Sequence, residues 1–201
     1  MVFRLRLCVA LLAVTVAAHA APRMLEHVPL KWKPTSDLKL GAVQEPATAI
    51  QFETFKDARE RPELIGENRE DEEKGQVKPV TSTEDVGAFV SSHMRELFKQ
   101  AGLNTVDSSG GVLIKGEVKQ FFVRETSTYQ AEVAVHITVV SANGATVWSG
   151  TATGDAKRFG RSYLLENYYE VLSDAVVNTV SSMLQSAEFQ KALAGAGRTG
   201  S

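Results

Sequence analysis

The stretch 128-TYQAEVAVHITVVSANGATVWSGTATGDAKR-158 decides the fold of this chain. Apolar and polar residues alternate on both sides of Asn143-Gly144, which is the pattern of β-strands with one buried face. A tight type I′ turn needs positive φ at both central residues, and Asn followed by Gly favours it. The pattern therefore predicts two long antiparallel strands, Thr128–Ser141 and Ala145–Arg158, joined by a hairpin turn.

The turn also fixes which residues face each other. On one face the predicted pairs are Val139 with Trp148, Ile137 with Gly150, Val135 with Ala152 and Val133 with Gly154. On the other face they are Val140 with Val147, Thr138 with Ser149, His136 with Thr151 and Gln130 with Lys157. The first face is apolar and must be covered, whereas the second can meet water. The small residues Gly150 and Gly154 predict that the final helix packs closely on the covered face.

Two further strands are predicted upstream, at Gly111–Arg124 and Ala47–Asp57. The first of them alternates clearly, with Val112, Ile114 and Val118 on one side and Lys115, Glu117 and Lys119 on the other. When the alternation is continued along both strands, Phe55 and Phe121 fall on the polar face. Val140 and Val147 would add further apolar spots there.

Helical periodicity occurs twice. An apolar stripe at steps of three and four residues covers residues 86–97, with Ser82 or Thr83 as the N-cap and Gly102 as the residue that ends the helix. A second stripe predicts a final helix over about residues 162–187.

The remaining stretches are polar or mixed. Residues 58–81 contain the charge run Glu67–Lys74 and are predicted to form a mobile, solvated loop. Residues 21–46 form an N-terminal extension, in which 27–33 could be a short edge strand. A single domain is predicted over 47–190, followed by a flexible tail at 191–201.

The order of elements constrains the architecture. Helices on both faces of the sheet would bury Lys115, Glu117 and Lys119, at several kcal/mol each if unpaired. Both helices must therefore lie on the same face. The sequence predicts an α+β two-layer sandwich, a four-stranded and mainly antiparallel sheet with two helices on one face (β-α-β-β-β-α).

The N-terminus predicts export from the cytoplasm. Arg4 and Arg6 precede an apolar run at residues 7–18, and Ala18-His19-Ala20 supplies small residues for cleavage before Ala21. This is the order of a signal peptide over residues 1–20, and its apolar run is too short for a membrane span.

The position of the single cysteine predicts the state of the exported protein. Cys8 lies within the predicted signal and not directly after its apolar run, where a lipidated cysteine would stand. We therefore expect a periplasmic or secreted product without a lipid anchor and without disulfides.

The net charge argues against nucleic acid as a main partner. Removal of Arg4 and Arg6 would change the formal net charge from −2 to −4, because all 24 acidic residues lie downstream. An acidic surface repels phosphate backbones. Residues beyond the predicted signal also contain no apolar stretch near the ~20 residues that a membrane span needs.

Several segments can be matched to a known family. They are the strand 49-AIQFETFKDAR-59, Pro62, Ile65-Gly66, the helix 86–103 with its terminal Ala-Gly, and the strand around Gly116 with its antiparallel successors. Over roughly residues 45–187 these pieces resemble the YajG-type family of periplasmic lipoproteins from Gram-negative bacteria. The chain is more loosely similar to lipopolysaccharide-assembly lipoproteins and to auxiliary lipoproteins of ABC transporters. The resemblance implies binding or assembly rather than chemistry, although the lipidated cysteine is absent here.

Asp57 and Arg59 form the most interesting charged pair. Both directly follow the first strand, where a loop can present them at the end of the sheet. With Arg61, Phe55 and Phe121 they are the candidate binding residues. The alternative role for the pair is a local ion pair that steadies the loop.

The sequence contains no convergent set of catalytic or metal-binding groups. His27, His93 and His136 lie at spacings that do not converge on a metal, so we expect no metal and no cofactor. His93 is expected to pack at the boundary of the core, and His136 to face outward opposite Thr151. An aromatic cluster at the start of the last helix predicts core packing or, alternatively, the rim of an interface: Phe159, Tyr163, Tyr168 and Tyr169.

Three functions remain open. We expect a periplasmic, non-catalytic binding or envelope-assembly module whose open sheet face meets an envelope protein or complex. The second hypothesis is a small-ligand enzyme or hydrolase that uses Asp57, Arg59 and Arg61. The third is a self-associating structural subunit that oligomerises through the same face.

Overall fold

The computed structural model describes residues 25–39, 49–107 and 111–196. The signal peptide predicted at residues 1–20 lies outside these ranges. The described strands are β1 (Ile50–Phe52), β2 (Lys56–Asp57), β3 (Leu64–Asp71), β4 (Gln76–Thr81), β5 (Thr105–Val106), β6 (Val112–Glu125), β7 (Tyr129–Val140) and β8 (Thr146–Arg158). The described helices are α1 (Val86–Gln100), α2 (Leu165–Gln185) and α3 (Ala187–Ala196), with a 3₁₀ turn at Glu72–Lys74.

The long strand β6 organises the sheet. One of its edges pairs antiparallel with β7 along almost its whole length, and β7 pairs in turn with β8. The opposite edge of β6 pairs in succession with β1, β2 and β3, all parallel to it. β5 continues the sheet beside β1, and β4 continues it beside β3. The α+β class is confirmed, but the predicted four-stranded sheet with two helices is wrong, because the described residues form eight strands and three α-helices.

The two unforeseen long strands come from the predicted loop at residues 58–81. β3 and β4 form an antiparallel hairpin, and Gly75 closes it at φ 73°. The charge run Glu67–Lys74 lacks apolar alternation, so its strand pattern was hidden. Its charges are instead satisfied by one another, since Arg69 contacts both Glu67 and Glu72.

The predicted β7–β8 register is confirmed along most of the hairpin, including Val139 opposite Trp148 and Val133 opposite Gly154. The turn differs from the predicted type I′. Gly144 alone has positive φ, at 85°, and its N–H donates to the carbonyl of Ser141 at 2.9 Å. This is a type I turn followed by a left-handed glycine, and the accompanying bulge pairs Val140 with Thr146 rather than with Val147.

Two bulges move the predicted aromatic residues to the other face. In β6 the register shifts between Val118 and Gln120, so Lys119 is an extra residue and the alternation reverses after it. Phe121 is therefore buried, at 1% exposure. One extra residue between β1 and β2 has the same effect on Phe55, which is 2% exposed. The prediction that both residues lie on the open face is wrong, because each extra residue reverses the face on which the following side chains lie.

All three helices cover the same face of the sheet, as the alternation predicted for the first two. The other face, called the open face below, carries the exposed or half-exposed side chains of β6, β7 and β8. Val140 and Val147 lie there, as predicted, and Val147 is 38% exposed.

The close approach predicted at the two glycines of β8 has two different causes. At Gly154 it is helix α2, because a Cβ there would lie 2.3 Å from the Thr179 nitrogen and 2.4 Å from the Ala175 carbonyl oxygen. At Gly150 it is the Trp148 ring of the same strand, at 2.6 Å. The prediction is thus confirmed for Gly154 and wrong for Gly150.

The helix ends differ in detail from the prediction. The N-cap of α1 is Asp85, whose carboxylate accepts from the Ala88 N–H at 2.9 Å, rather than Ser82 or Thr83. Gly102 ends α1 at φ 83°, as predicted.

The final helical region is longer than predicted. It breaks after Gln185 and resumes as α3, in which Phe189, Leu193 and Ala196 are buried. The flexible tail predicted from residue 191 is therefore wrong as far as Ala196, because these apolar residues are held in the core. Residues 197–201 lie outside the described residues.

Residues 25–39 form a strap that runs over α2. The predicted edge strand at 27–33 is wrong, and only one bridge, between Leu25 and Val80, joins this segment to the sheet. His27 adopts a left-handed φ of 54°, and Pro29 lacks a donor, so the chain leaves the sheet after Val28, whose N–H donates to the Thr81 carbonyl at 2.8 Å.

Side chains of α2, rather than a neighbouring strand, accept hydrogen bonds from the backbone of the strap. The buried carboxylate of Asp174 accepts from the backbone N–H of Thr35 at 2.6 Å and of Ser36 at 2.8 Å. Ser173 accepts from the N–H of Lys33 at 2.9 Å. The strap thereby covers apolar helix surface that the predicted two-layer sandwich would leave in water.

Gly154→Ala tests the close helix–sheet contact. The added methyl group overlaps the backbone of α2, so we expect the free energy of unfolding to fall by ~1–3 kcal/mol. Gly195→Ala is the matched control, because a Cβ there has no neighbour within 4 Å. In a helix this control should leave stability unchanged or raise it by up to ~1 kcal/mol. Urea titrations measure both, and equal midpoints for the two variants would contradict the contact.

Candidate functional site

The candidate site begins at a gap in the sheet. β2 pairs with β6 as far as Asp57 opposite Val118, and β3 begins to pair with it only at Gly66 opposite Val123. Residues 119–122 of β6 therefore have no strand beside them on this edge in the described part of the chain. The loop between β2 and β3 crosses this gap, and it carries Arg59.

The guanidinium of Arg59 fills the gap. Its Nε donates to Asp57 Oδ1 at 2.9 Å and its Nη2 to Asp57 Oδ2 at 2.8 Å. Nη1 donates to the Leu64 carbonyl at 2.8 Å and to the Phe121 carbonyl at 3.3 Å. Nη2 also donates to the Pro62 carbonyl. A guanidinium has five N–H donors, so every one of them is used within the chain.

The predicted pair of Asp57 and Arg59 is thus brought together, and its geometry is that of a structural ion pair. The Arg59 side chain is 6% exposed and that of Asp57 is 17% exposed. The guanidinium carbon also lies 6.0 Å from the centroid of the Phe121 ring. The pair therefore joins β2, the start of β3 and the bulge of β6, and no donor of Arg59 remains for a ligand.

The other predicted site residues separate. The side chain of Arg61 is 62% exposed and reaches the open face. Phe121 lies beneath Arg59 in the core. Phe55 packs its ring over Gly116, where an added Cβ would approach it to 2.7 Å. Both phenylalanines are buried, Phe121 at 1% and Phe55 at 2% exposure.

Beside the gap, the open face has a depression of about 530 Å³, called the basin below. Its cations are Arg61, Arg69, Lys119 and Arg124, and its carboxylates are Glu60 and Glu67, apart from the internally bonded Arg59. The ring of Phe122 lies in its wall, and this residue also lines a neighbouring depression of about 380 Å³.

Glu67 holds two of the arginines in place. It is only 7% exposed, and its Oε2 accepts from Arg69 Nε at 3.0 Å and from Nη2 at 2.7 Å. Its Oε1 accepts from Arg61 Nη2 at 3.3 Å. A buried carboxylate bonded to two arginines orients both side chains toward the basin.

Sequence reasoning missed Glu67, Arg69 and Arg124 as members of the site. The spacing of Glu67 and Arg69 by two residues is the signal that could have identified these two, because residues i and i+2 of a strand share a face. The charge run predicts a loop instead, since it lacks the apolar alternation of a strand.

The histidines lie apart from the basin. His136 Nε2 lies 3.1 Å from Ser149 Oγ, and Nδ1 lies 3.3 Å from Thr151 Oγ1, so both ring nitrogens have hydroxyl partners. His93 is half-buried and stacks on Trp32 with 4.2 Å between ring centroids, as expected for boundary packing. Burial lowers the pKa of His93. Among residues 25–39, 49–107 and 111–196, no three potential ligand residues cluster as a metal site would require.

The aromatic cluster of α2 belongs mainly to the core. Glu125 is fully buried and accepts from the Tyr168 hydroxyl at 2.5 Å and from the Tyr163 N–H at 2.6 Å. Burial and the adjacent carboxylate raise the pKa of Tyr168. Tyr163 also links Leu25 of the strap to Pro79 of β4 through its hydroxyl. Phe159 differs from these residues, since it is 80% exposed.

Comparison with known proteins gives a likeness of fold alone. No family model and no curated sequence matches the chain. The crystal structure of XCC0632 from Xanthomonas campestris, of the family model DUF330, has 12% identity and a TM-score of 0.55, over 79% of this chain and 94% of that one. The YajG-type resemblance is therefore not confirmed, while the fold is one that a solved structure shares.

Two further structures superpose more distantly. PelC from Paraburkholderia phytofirmans, a dodecamer, has 17% identity and a TM-score of 0.41, over 74% of this chain and 95% of that one. Lipoprotein GNA1162 from Neisseria meningitidis has 15% identity and a TM-score of 0.34, over 66% and 97%. In the described part of the chain, no helix combines the length and the apolar character of a membrane span.

Arg59→Ala compared with Arg61→Ala tests the structural role of the pair. Removal of the buried cation leaves Asp57 and the carbonyls of Pro62, Leu64 and Phe121 without this partner, so we expect a loss of about 3 kcal/mol in the free energy of unfolding. The exposed Arg61 should cost no more than about 0.5 kcal/mol. Chemical denaturation of both variants measures the difference, and a loss below about 1 kcal/mol for Arg59→Ala would exclude the structural role.

Proposed function

We propose that this protein is a non-catalytic module of the bacterial cell envelope that binds a partner through the basin on the open face. The single observation that carries the proposal is the arrangement of Arg61, Arg69 and Arg124 around a depression whose buried carboxylate, Glu67, holds two of them in place. Holding these side chains before a partner arrives lowers the entropy cost of binding.

The envelope location rests on the sequence. The N-terminal order of basic, apolar and small residues is that of an export signal, and the absence of a cysteine after it favours a product that is not lipidated. A periplasmic or secreted module is consistent with both features.

The alternative of a small-ligand enzyme that uses the loop after the first strand has less support. Arg59 has no free donor, and Asp57 accepts from both nitrogens that face it. A catalytic group must contact the reacting atoms, and both side chains are directed into the sheet instead. We therefore favour a binding role for the loop region.

The second alternative, a self-associating subunit, would use the same face. β8 is an edge strand, and α2 covers part of its outer edge, because Asn178 donates to the Asp155 carbonyl at 2.7 Å and Ser182 to the Thr153 carbonyl at 2.9 Å. Because α2 covers part of this edge, fewer of its backbone groups can pair with a second copy, and the basin is the better surface for binding a partner.

Site-specific photo-crosslinking tests the proposal. A photoreactive phenylalanine analogue at Phe122, in the wall of the basin, should give a discrete adduct with another envelope protein in the organism that produces this chain. The same analogue at the exposed Glu188 of α3 is the matched control and should not give that adduct. Arg124→Glu in the Phe122 background should remove it, because the reversed charge repels an acidic partner.

The outcomes separate the hypotheses. An adduct made only of two copies of this chain would support the self-associating subunit instead. Identical adducts from positions 122 and 188, or none from position 122, would overturn the proposal that the basin binds a partner.

A further inference from the structure

The basin brings four cationic side chains together in a chain that is acidic as a whole. The whole chain has a formal net charge of −2. Four cations, Arg61, Arg69, Lys119 and Arg124, line the basin with two carboxylates, Glu60 and Glu67. Two further carboxylates pair with these cations, Glu72 with Arg69 at 2.7 Å and Glu117 with Lys119 at 2.5 Å. The positive charge that is least neutralised within the chain is therefore that of Arg61 and Arg124, and such cations attract anions.

Several donors in the basin remain available. The side chain of Arg124 is exposed and makes no hydrogen bond or ion pair within the described residues, and the guanidinium of Arg61 uses only one of its nitrogens, on Glu67. Each of the three guanidinium nitrogens of Arg69 already donates one hydrogen bond, two to Glu67 and one to Glu72, which holds this side chain in place. Two planar guanidinium groups with free donors therefore line the same depression.

The shape of the basin follows from the backbone. Because no strand lies beside residues 119–122 of β6, and because Lys119 is the extra residue of the bulge, the sheet is depressed at this point. Phe122 supplies an apolar wall, and about 530 Å³ is enough for a small charged group with a short apolar neighbour.

We propose that the basin binds a phosphate group, held by Arg61 and Arg124, with Glu67 as the positioning residue and Phe122 against the adjoining carbons. This inference rests on the proposed function and names the chemistry of the partner. Arginine forks match the oxygens of phosphate in pairs. The phosphate can belong to a lipid headgroup or to a soluble molecule.

Two probes distinguish these sources. Glycerol 3-phosphate, titrated into the isotope-labelled exported protein and followed by NMR, represents a soluble phosphate. Flotation with phosphatidylcholine vesicles, with and without phosphatidylglycerol, represents a lipid headgroup. Saturating shifts confined to residues 119–124 and to the side-chain Nε of Arg61 and Arg124, or flotation only with phosphatidylglycerol, supports the site and identifies the source.

Charge-matched variants test the placement. Arg124→Glu should weaken binding by about tenfold or more, as expected for loss of a charge-assisted pair. Lys191→Glu makes the same change of charge on the exposed surface of α3. It should change the affinity less than about twofold, since salt screens the interaction between the site and a charge on another surface. Equal weakening by both variants, or no saturable binding of either probe, would overturn the proposal.

Glu67→Gln separates positioning from simple attraction. The change removes a negative charge from the basin, so attraction alone predicts tighter binding of phosphate. If Glu67 orients the arginines, binding should weaken severalfold although the site becomes more positive. Tighter binding would overturn the positioning role. A crosslink from Phe122 without phosphate binding would leave the proposed function intact and refute this inference alone.

Discussion

The guanidinium of Arg59 occupies the place of a missing strand. Along one edge of β6, β2 ends and β3 has not yet begun, and the side chain of Arg59 bridges the interval with all five of its donors. A buried cation is stable there only because Asp57 neutralises it and three backbone carbonyls complete its hydrogen bonds. The β3–β4 hairpin pairs with β6 beyond this interval, and the ion pair fixes the segment that leads into it through the carbonyls of Pro62 and Leu64.

The same interval explains why the open face has a basin at this point. A continuous row of strands would give a smooth, twisted surface, whereas here the sheet is interrupted and the bulge at Lys119 turns the chain. Phe121 rotates into the core and Phe122 remains at the surface. One backbone irregularity thus supplies both an apolar anchor below Arg59 and an aromatic wall for the basin above it.

Features governed by a regular period could be predicted from the sequence. The register of β7 and β8 and the single face used by the helices follow from alternation and the Asn143-Gly144 turn, and both are confirmed. A bulge has no such signal, because Lys119 is compatible with either face, so the orientation of Phe121 was predicted incorrectly. The β3–β4 hairpin was missed because ion pairs such as that of Arg69 with Glu67 replace the apolar alternation that identifies a strand.

Hydrogen–deuterium exchange of Arg59→Ala tests the central claim most directly. If the guanidinium replaces a strand, the amides of β3 and β4 should lose protection, while those of the β7–β8 hairpin, which pairs independently of the gap, should keep theirs. Unchanged protection in β3, or an equal loss of protection in all strands, would contradict the account.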